Sequence, residues 1–130
     1  MFVLNLLSRL PFSWLYLFSD FLFTTAYYLI SYRKKVVWRN LSNSFPEMSV
    51  RDSKVVQKNF YENLCDYAVE TIKLQTITQS ELRQRMVFKN PEILQPFADA
   101  HQSVILLSSH QFNWEWLLVA GSFSLPMKID

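Results

Sequence analysis

The side chains best placed to do chemistry are His110 and Glu115. They lie in the run Ser108-Ser109-His110-Gln111-Phe112-Asn113-Trp114-Glu115-Trp116, just after the apolar stretch Ser103-Val104-Ile105-Leu106-Leu107. Neutral imidazole can accept a proton near neutral pH. A carboxylate five positions on can turn back toward the ring if a helix begins between them. Such a pair is a general base with an orienting acid, and it points to transfer of a group onto a hydroxyl. The spacing alone is weak, because a histidine and an acid five residues apart arise often by chance. On spacing alone, His110 reads first as an idle histidine at a strand end.

The elements around the pair set the expected fold. Val104–Leu107 is an apolar run without alternation, the pattern of a strand covered on both faces in a parallel sheet. Met86-Val87-Phe88 and the segment from Leu125 onward read as two further short strands. Between them, Asn90-Pro91 is a cap followed by proline at the first helical position, so residues 91–100 are expected to be helical. A helix over 113–120 is expected to close at Gly121. Upstream, Ser49-x-x-Asp52 and Thr78-x-x-Glu81 resemble capping boxes. The first opens the longest helix, with Val56, Phe60, Leu64, Tyr67, Ala68 and Ile72 as its apolar face. Arg51, Lys54, Lys58 and Glu62 mark its wet side. Glu62, Asp66 and Glu70 read as a polar edge, with no histidine to make them a metal site. Trp114 and Trp116 are expected in a core or against lipid, and His101 on solvent. Residues 33–44 read as a short basic helix ended by Phe45-Pro46.

Composition narrows the classes. A single glycine, Gly121, leaves no glycine-rich phosphate loop. One cysteine, Cys65, excludes an internal disulfide and a cysteine-based zinc site. The net charge of +2 is small, and no nucleic-acid partner is expected. Half the residues are hydrophobic and 16% aromatic, with the excess mostly before residue 33. Residues 11–30 match the ~20 apolar residues of a bilayer span, although Asp20 inside it costs about 2.5–3.5 kcal/mol. Tyr32-Arg33-Lys34-Lys35 follows the segment, and only Arg9 precedes it. That asymmetry places the C-terminal side in the cytoplasm. The domain division read here is 1–32 as a membrane anchor and 33–130 as the start of a catalytic domain.

The run Tyr32-Arg-Lys-Lys-Val-Val-Trp-Arg-Asn-Leu-Ser-Asn-Ser-Phe-Pro-Glu47 resembles the early signature of the bacterial lipid A biosynthesis acyltransferases. His-Gln-Phe-Asn-Trp-Glu over 110–115 is similar to their catalytic block. The resemblance covers essentially the whole chain. It departs at Phe112, where many members carry glycine, and in length, the family being about twice as long.

The resemblance implies an α/β fold of glycerolipid acyltransferase type. A membrane helix would come first, then helices and the first strands of a mixed or parallel sheet, apparently truncated. It implies an O-acyltransferase in which His110 is the base and Glu115 its orienting acid, with Asn113 as a further substrate-binding candidate. Ser108 and Ser109 are not nucleophiles in this scheme. The donor would be an acyl carrier protein or coenzyme A thioester, and no metal or organic cofactor is called for. The acceptor would be a lipid or glycolipid hydroxyl, a lipid A precursor first, at the cytoplasmic face of the bacterial inner membrane. Two other readings stay open. One is the same chemistry on a lysophospholipid or an amino-acid-linked lipid. The other is a non-catalytic, membrane-anchored fragment.

Overall fold

A computed structural model describes residues 2–109 and 111–128. Among these residues there are helices and connecting coil, and no strand. The α/β expectation is therefore corrected. Met86-Val87-Phe88, Val104–Leu107 and the segment after Leu125 are coil or bends. Strands exist only where a neighbouring backbone supplies hydrogen bonds, and none of these runs has a paired neighbour. Ile105 and Leu107 are left 87% and 95% exposed, so apolar composition alone did not make a sheet.

The membrane-span expectation is corrected as well. No helix among the described residues is long and apolar enough to cross a bilayer. The N-terminal segment breaks into α1 (Phe2–Ser8) and α2 (Phe12–Thr24), the latter running into a π-helical turn, Thr25–Leu29. Pro11 has φ −63° and ψ 154°, extended geometry at the N-terminal boundary of α2, where a residue lacking an N–H is tolerated. The Thr25 hydroxyl donates to the Phe21 carbonyl at 2.9 Å. Ser31 and Arg33 then turn the chain with φ of 54° and 50°, and α3 (Lys34–Ser44) follows. It ends at Phe45, before Pro46, as expected.

Helix α4 (Val50–Lys73) is the spine of the molecule and packs against α1, α2, the π turn and α3. The Ser49 hydroxyl caps it by accepting the Asp52 N–H at 3.1 Å. Its buried side differs from the expected one. Val56, Phe60 and Leu64 are exposed, whereas Ser53, Gln57, Tyr61, Cys65, Val69 and Lys73 are buried at every fourth position. The buried stripe is partly polar because its partners are polar. The Ser19 hydroxyl donates to Asp66 Oδ1 at 2.7 Å, and Gln57 Nε2 to the Lys34 carbonyl at 2.9 Å. The Tyr61 hydroxyl donates to the Tyr32 carbonyl. Lys73 Nζ donates to the carbonyls of Ser8 and Leu10 at 3.1 and 3.0 Å, which takes up the carbonyls left open where α1 ends. The face that faces solvent, Arg51, Lys54 and Lys58, is as the charges indicated.

Past α4, the Thr78–Glu81 capping box opens α5 (Gln79–Arg85), as its sequence foretold. Pro91–Leu94 forms a 3-10 turn leading into α6 (Gln95–Asp99), so the helical expectation for 91–100 holds in two pieces. Asn90 makes no side-chain cap there. His101 is exposed just after α6. Helix α7 (Trp114–Ser124) runs through Gly121 rather than stopping at it, and Gly121 is buried within the helix. The main apolar cluster is Leu82, Trp116 and Ala120, with Phe12, Leu74, Ile77, Met86, Phe88 and Phe123 around it. It joins α5 and α7 to the start of α2, and each large buried side chain contributes about 1.5–3 kcal/mol.

Candidate functional site

The candidate residues lie at the head of α7, against the C-terminal half of α4. His110 lies outside the described residues. Immediately after it, Gln111 N–H donates to the Ser109 carbonyl at 2.8 Å and Trp114 N–H to the Phe112 carbonyl at 2.9 Å. Phe112 adopts φ 49°, the left-handed region that favours glycine and costs other residues roughly 1–2 kcal/mol. Its ring is half exposed. The backbone is thus bent sharply between Gln111 and the first turn of α7.

Asn113 stands at the N-cap of α7 yet makes no side-chain capping bond. Its Nδ2 donates instead to Glu70 Oε2, in a buried contact. Glu115 Oε1 accepts from the Tyr67 hydroxyl. Trp116 Nε1 donates to the Glu70 carbonyl at 3.2 Å. Three side chains of the motif, at 113, 115 and 116, are therefore gripped by one turn of α4. Three buried polar atoms here lack a hydrogen-bond partner among the described residues: Glu115 Oε2, Asn113 Oδ1 and Thr71 Oγ1. Buried polar atoms are seldom left so, and Glu115 Oε2 has room in its bonding for one more donor. Among the described residues, Glu115 is thus held through one carboxylate oxygen and has no donor at the other.

Sequence reasoning missed Tyr67 and Glu70. By pattern Tyr67 belongs to the apolar face and Glu70 to a polar edge, but Glu70 is 8% exposed. The available signal was their three-residue spacing, which puts them on one helix face. Glu70 also accepts from the Tyr16 hydroxyl at 2.6 Å, and Arg85 Nη1 lies 3.5 Å from that hydroxyl. Burial, then the bond to Glu70, pushes the Tyr16 phenol up to about 12. The Tyr67 phenol is also raised, first by its bond to Glu115.

Burial raises the Glu70 carboxyl above the ordinary range, against the opposing pull of the Tyr16 hydrogen bond. Folding thus favours the protonated form of Glu70 more than the unfolded chain does. Its contribution is fully present below the unfolded carboxyl value and is lost as pH rises through the folded one. Relative to Glu70→Gln, the parent protein is expected to lose thermal stability as pH is raised from acid to neutral. Paired melting curves across that range test this, and an opposite slope would show that the fold favours the charged form.

A family model described as bacterial lipid A biosynthesis acyltransferase matches residues 1–120. The chain belongs to that family. Searches of curated proteins and of solved structures found no match. Membership indicates an acyltransferase-type activity and, in general terms, a lipid acceptor and an acyl thioester donor. The matched span contains the whole His110–Glu115 block as well as the N-terminal helices. In this family member a separate open cleft of about 980 Å³ lies between the 88–108 segment and α7, lined by residues such as Leu94, Val104, Leu107, Leu117 and Leu118. Among the described residues from Ser108 to Trp116, Ser108 lines it.

Proposed function

We propose that the chain moves a fatty acyl group from an acyl carrier protein or coenzyme A thioester to a lipid or glycolipid hydroxyl, a lipid A precursor first. The observation that carries this reading is the family match across residues 1–120, which includes His110, Asn113 and Glu115. His110 takes the proton from the acceptor hydroxyl. The alkoxide oxygen attacks the thioester carbonyl, and the carbon–sulfur bond breaks as the intermediate collapses. The thiol leaves with the proton returned by the imidazolium. Glu115 holds the ring and stabilises its positive charge. Its support is the arrangement at Tyr67, which fixes one carboxylate oxygen and leaves the second for an N–H donor. Asn113 is the candidate for a hydrogen bond to substrate through Oδ1.

The reaction is placed at the cytoplasmic face of a bacterial inner membrane. Support comes from the outer side of the N-terminal helices, where Phe2, Leu6, Trp14, Leu17, Phe21 and Ile30 are exposed. Apolar patches of this kind, with Arg33, Lys34 and Lys35 beside them, suit a helix lying in the interface of an anionic bilayer.

Incubation of the chain with radiolabelled acyl–acyl carrier protein and lipid A precursor should place label in the lipid. Parallel arms with a lysophospholipid and an amino-acid-linked lipid identify the acceptor. Glu115→Gln is expected to keep part of the rate, since the base remains but is less well oriented. Absence of label in every acceptor, with either thioester, would overturn the assignment and favour a non-catalytic chain.

A further inference from the structure

The N-terminal helices and the head of α7 share one buried carboxylate. Glu70 Oε1 accepts from Tyr16 of α2, and Glu70 Oε2 accepts from Asn113 at the head of α7. The indole of Trp116 reaches the Glu70 carbonyl. One turn earlier on α4, Tyr67 holds Glu115. Asn113 occupies the position from which an asparagine usually caps a helix, and it forgoes that bond to reach Glu70. The backbone just before it is held in the unfavourable left-handed geometry of Phe112. A side chain that gives up a local bond and ends a strained turn needs a tertiary partner to stay in place. Glu70 is that partner. Arg85 closes the cluster, stacked 3.5 Å from the Phe12 ring centroid.

We propose that Glu70 is a positioning residue for acyl transfer, tying α2 to the head of α7 so that Asn113 and Glu115 keep fixed places beside α4. The proposal rests on the reading that the His110–Glu115 block performs the transfer. Glu70 touches no reacting atom in this scheme and acts through Asn113.

The contact can be tested by exchanging its partners. Glu70→Leu removes both acceptors, and kcat per folded molecule should fall about 100-fold, the effect of a small misplacement of reacting groups. KM for radiolabelled acyl–acyl carrier protein should hold. Glu70→Gln keeps an acceptor for Tyr16 but sets its amide N–H against that of Asn113, so its rate should fall between those of the parent and Glu70→Leu. Asn113→Asp sets two carboxylates together and should be slow. Combining Asn113→Asp with Glu70→Gln restores the bond with donor and acceptor exchanged, and should recover most of the loss. A role in overall stability alone would lower the melting temperature of Glu70→Leu and leave kcat per folded molecule intact, which would overturn the proposal. So would a double variant as slow as Asn113→Asp, since Asn113 would then act on substrate without Glu70. If His110→Ala proves as active as the parent, the reading that the His110–Glu115 block performs the transfer fails by itself. Amide exchange over residues 114–117 then judges the contact, being faster in Glu70→Leu and in Asn113→Asp, and slow again in the double variant. Unchanged exchange in all three would refute it.

Discussion

His110→Ala is expected to reduce acyl transfer by about 10²–10⁴-fold, the usual worth of a positioned general base. The variant should fold, since the apolar cluster that seats α7 is built from Leu82, Trp116 and Ala120 with their neighbours. Thioester binding should persist, so the loss should appear in kcat rather than KM. Transfer of label at several substrate concentrations, beside a melting curve, separates these effects. Turnover near that of the parent would remove His110 from the mechanism.

Deletion of residues 1–30 is expected to abolish the fold. It strips the cover from the buried side of α4. Leu15 and Ser19 are among the most completely buried residues, and Tyr61 and Val69 on α4 are 1% and 0% exposed. Losing the burial of three or four large side chains costs about 5–10 kcal/mol, comparable with the whole stability of a typical domain. Phe12, which meets Trp116 edge-on at 6.1 Å, also disappears from the cluster beneath α7. The truncated protein should therefore show no cooperative thermal transition by circular dichroism. A sharp melt close to that of the parent would mean that α4 to α7 stand without the first two helices.

How much of this was legible in the sequence depends on the range of the forces involved. Helix starts are local, and Ser49, Thr78 and Pro91 each marked one correctly. The basic helix ending at Phe45-Pro46 was equally readable, because proline constrains its predecessor. Strands are not local. The run at 104–107 had the composition of a sheet core, but nothing in its own residues could show that a partner lies alongside. The N-terminal segment misled for a related reason. Its hydropathy described a span, whereas Ser8, Tyr16 and Ser19 find their partners on α4, 47 to 65 residues away. The same long reach hid Glu70 and Tyr67 behind the readable His110–Glu115 block. A periodicity argument puts apolar residues inward, and here the inward stripe of α4 answers to hydroxyls and carbonyls instead.

That stripe has a consequence for the pairing of α2 with α4. The contacts Ser19 to Asp66, Tyr16 to Glu70, and Ser8 and Leu10 to Lys73 progress in opposite directions along the two sequences, like rungs of an antiparallel ladder. A greasy seam would tolerate a slip of one helical turn, about 5.4 Å, with little penalty. Here the same slip would unhook every rung at once and leave a carboxylate or an ammonium facing hydrocarbon. The two helices accordingly have a single permitted alignment, and sideways pressure on the outer helix would be resisted as a latch resists rather than absorbed as by a sliding bearing.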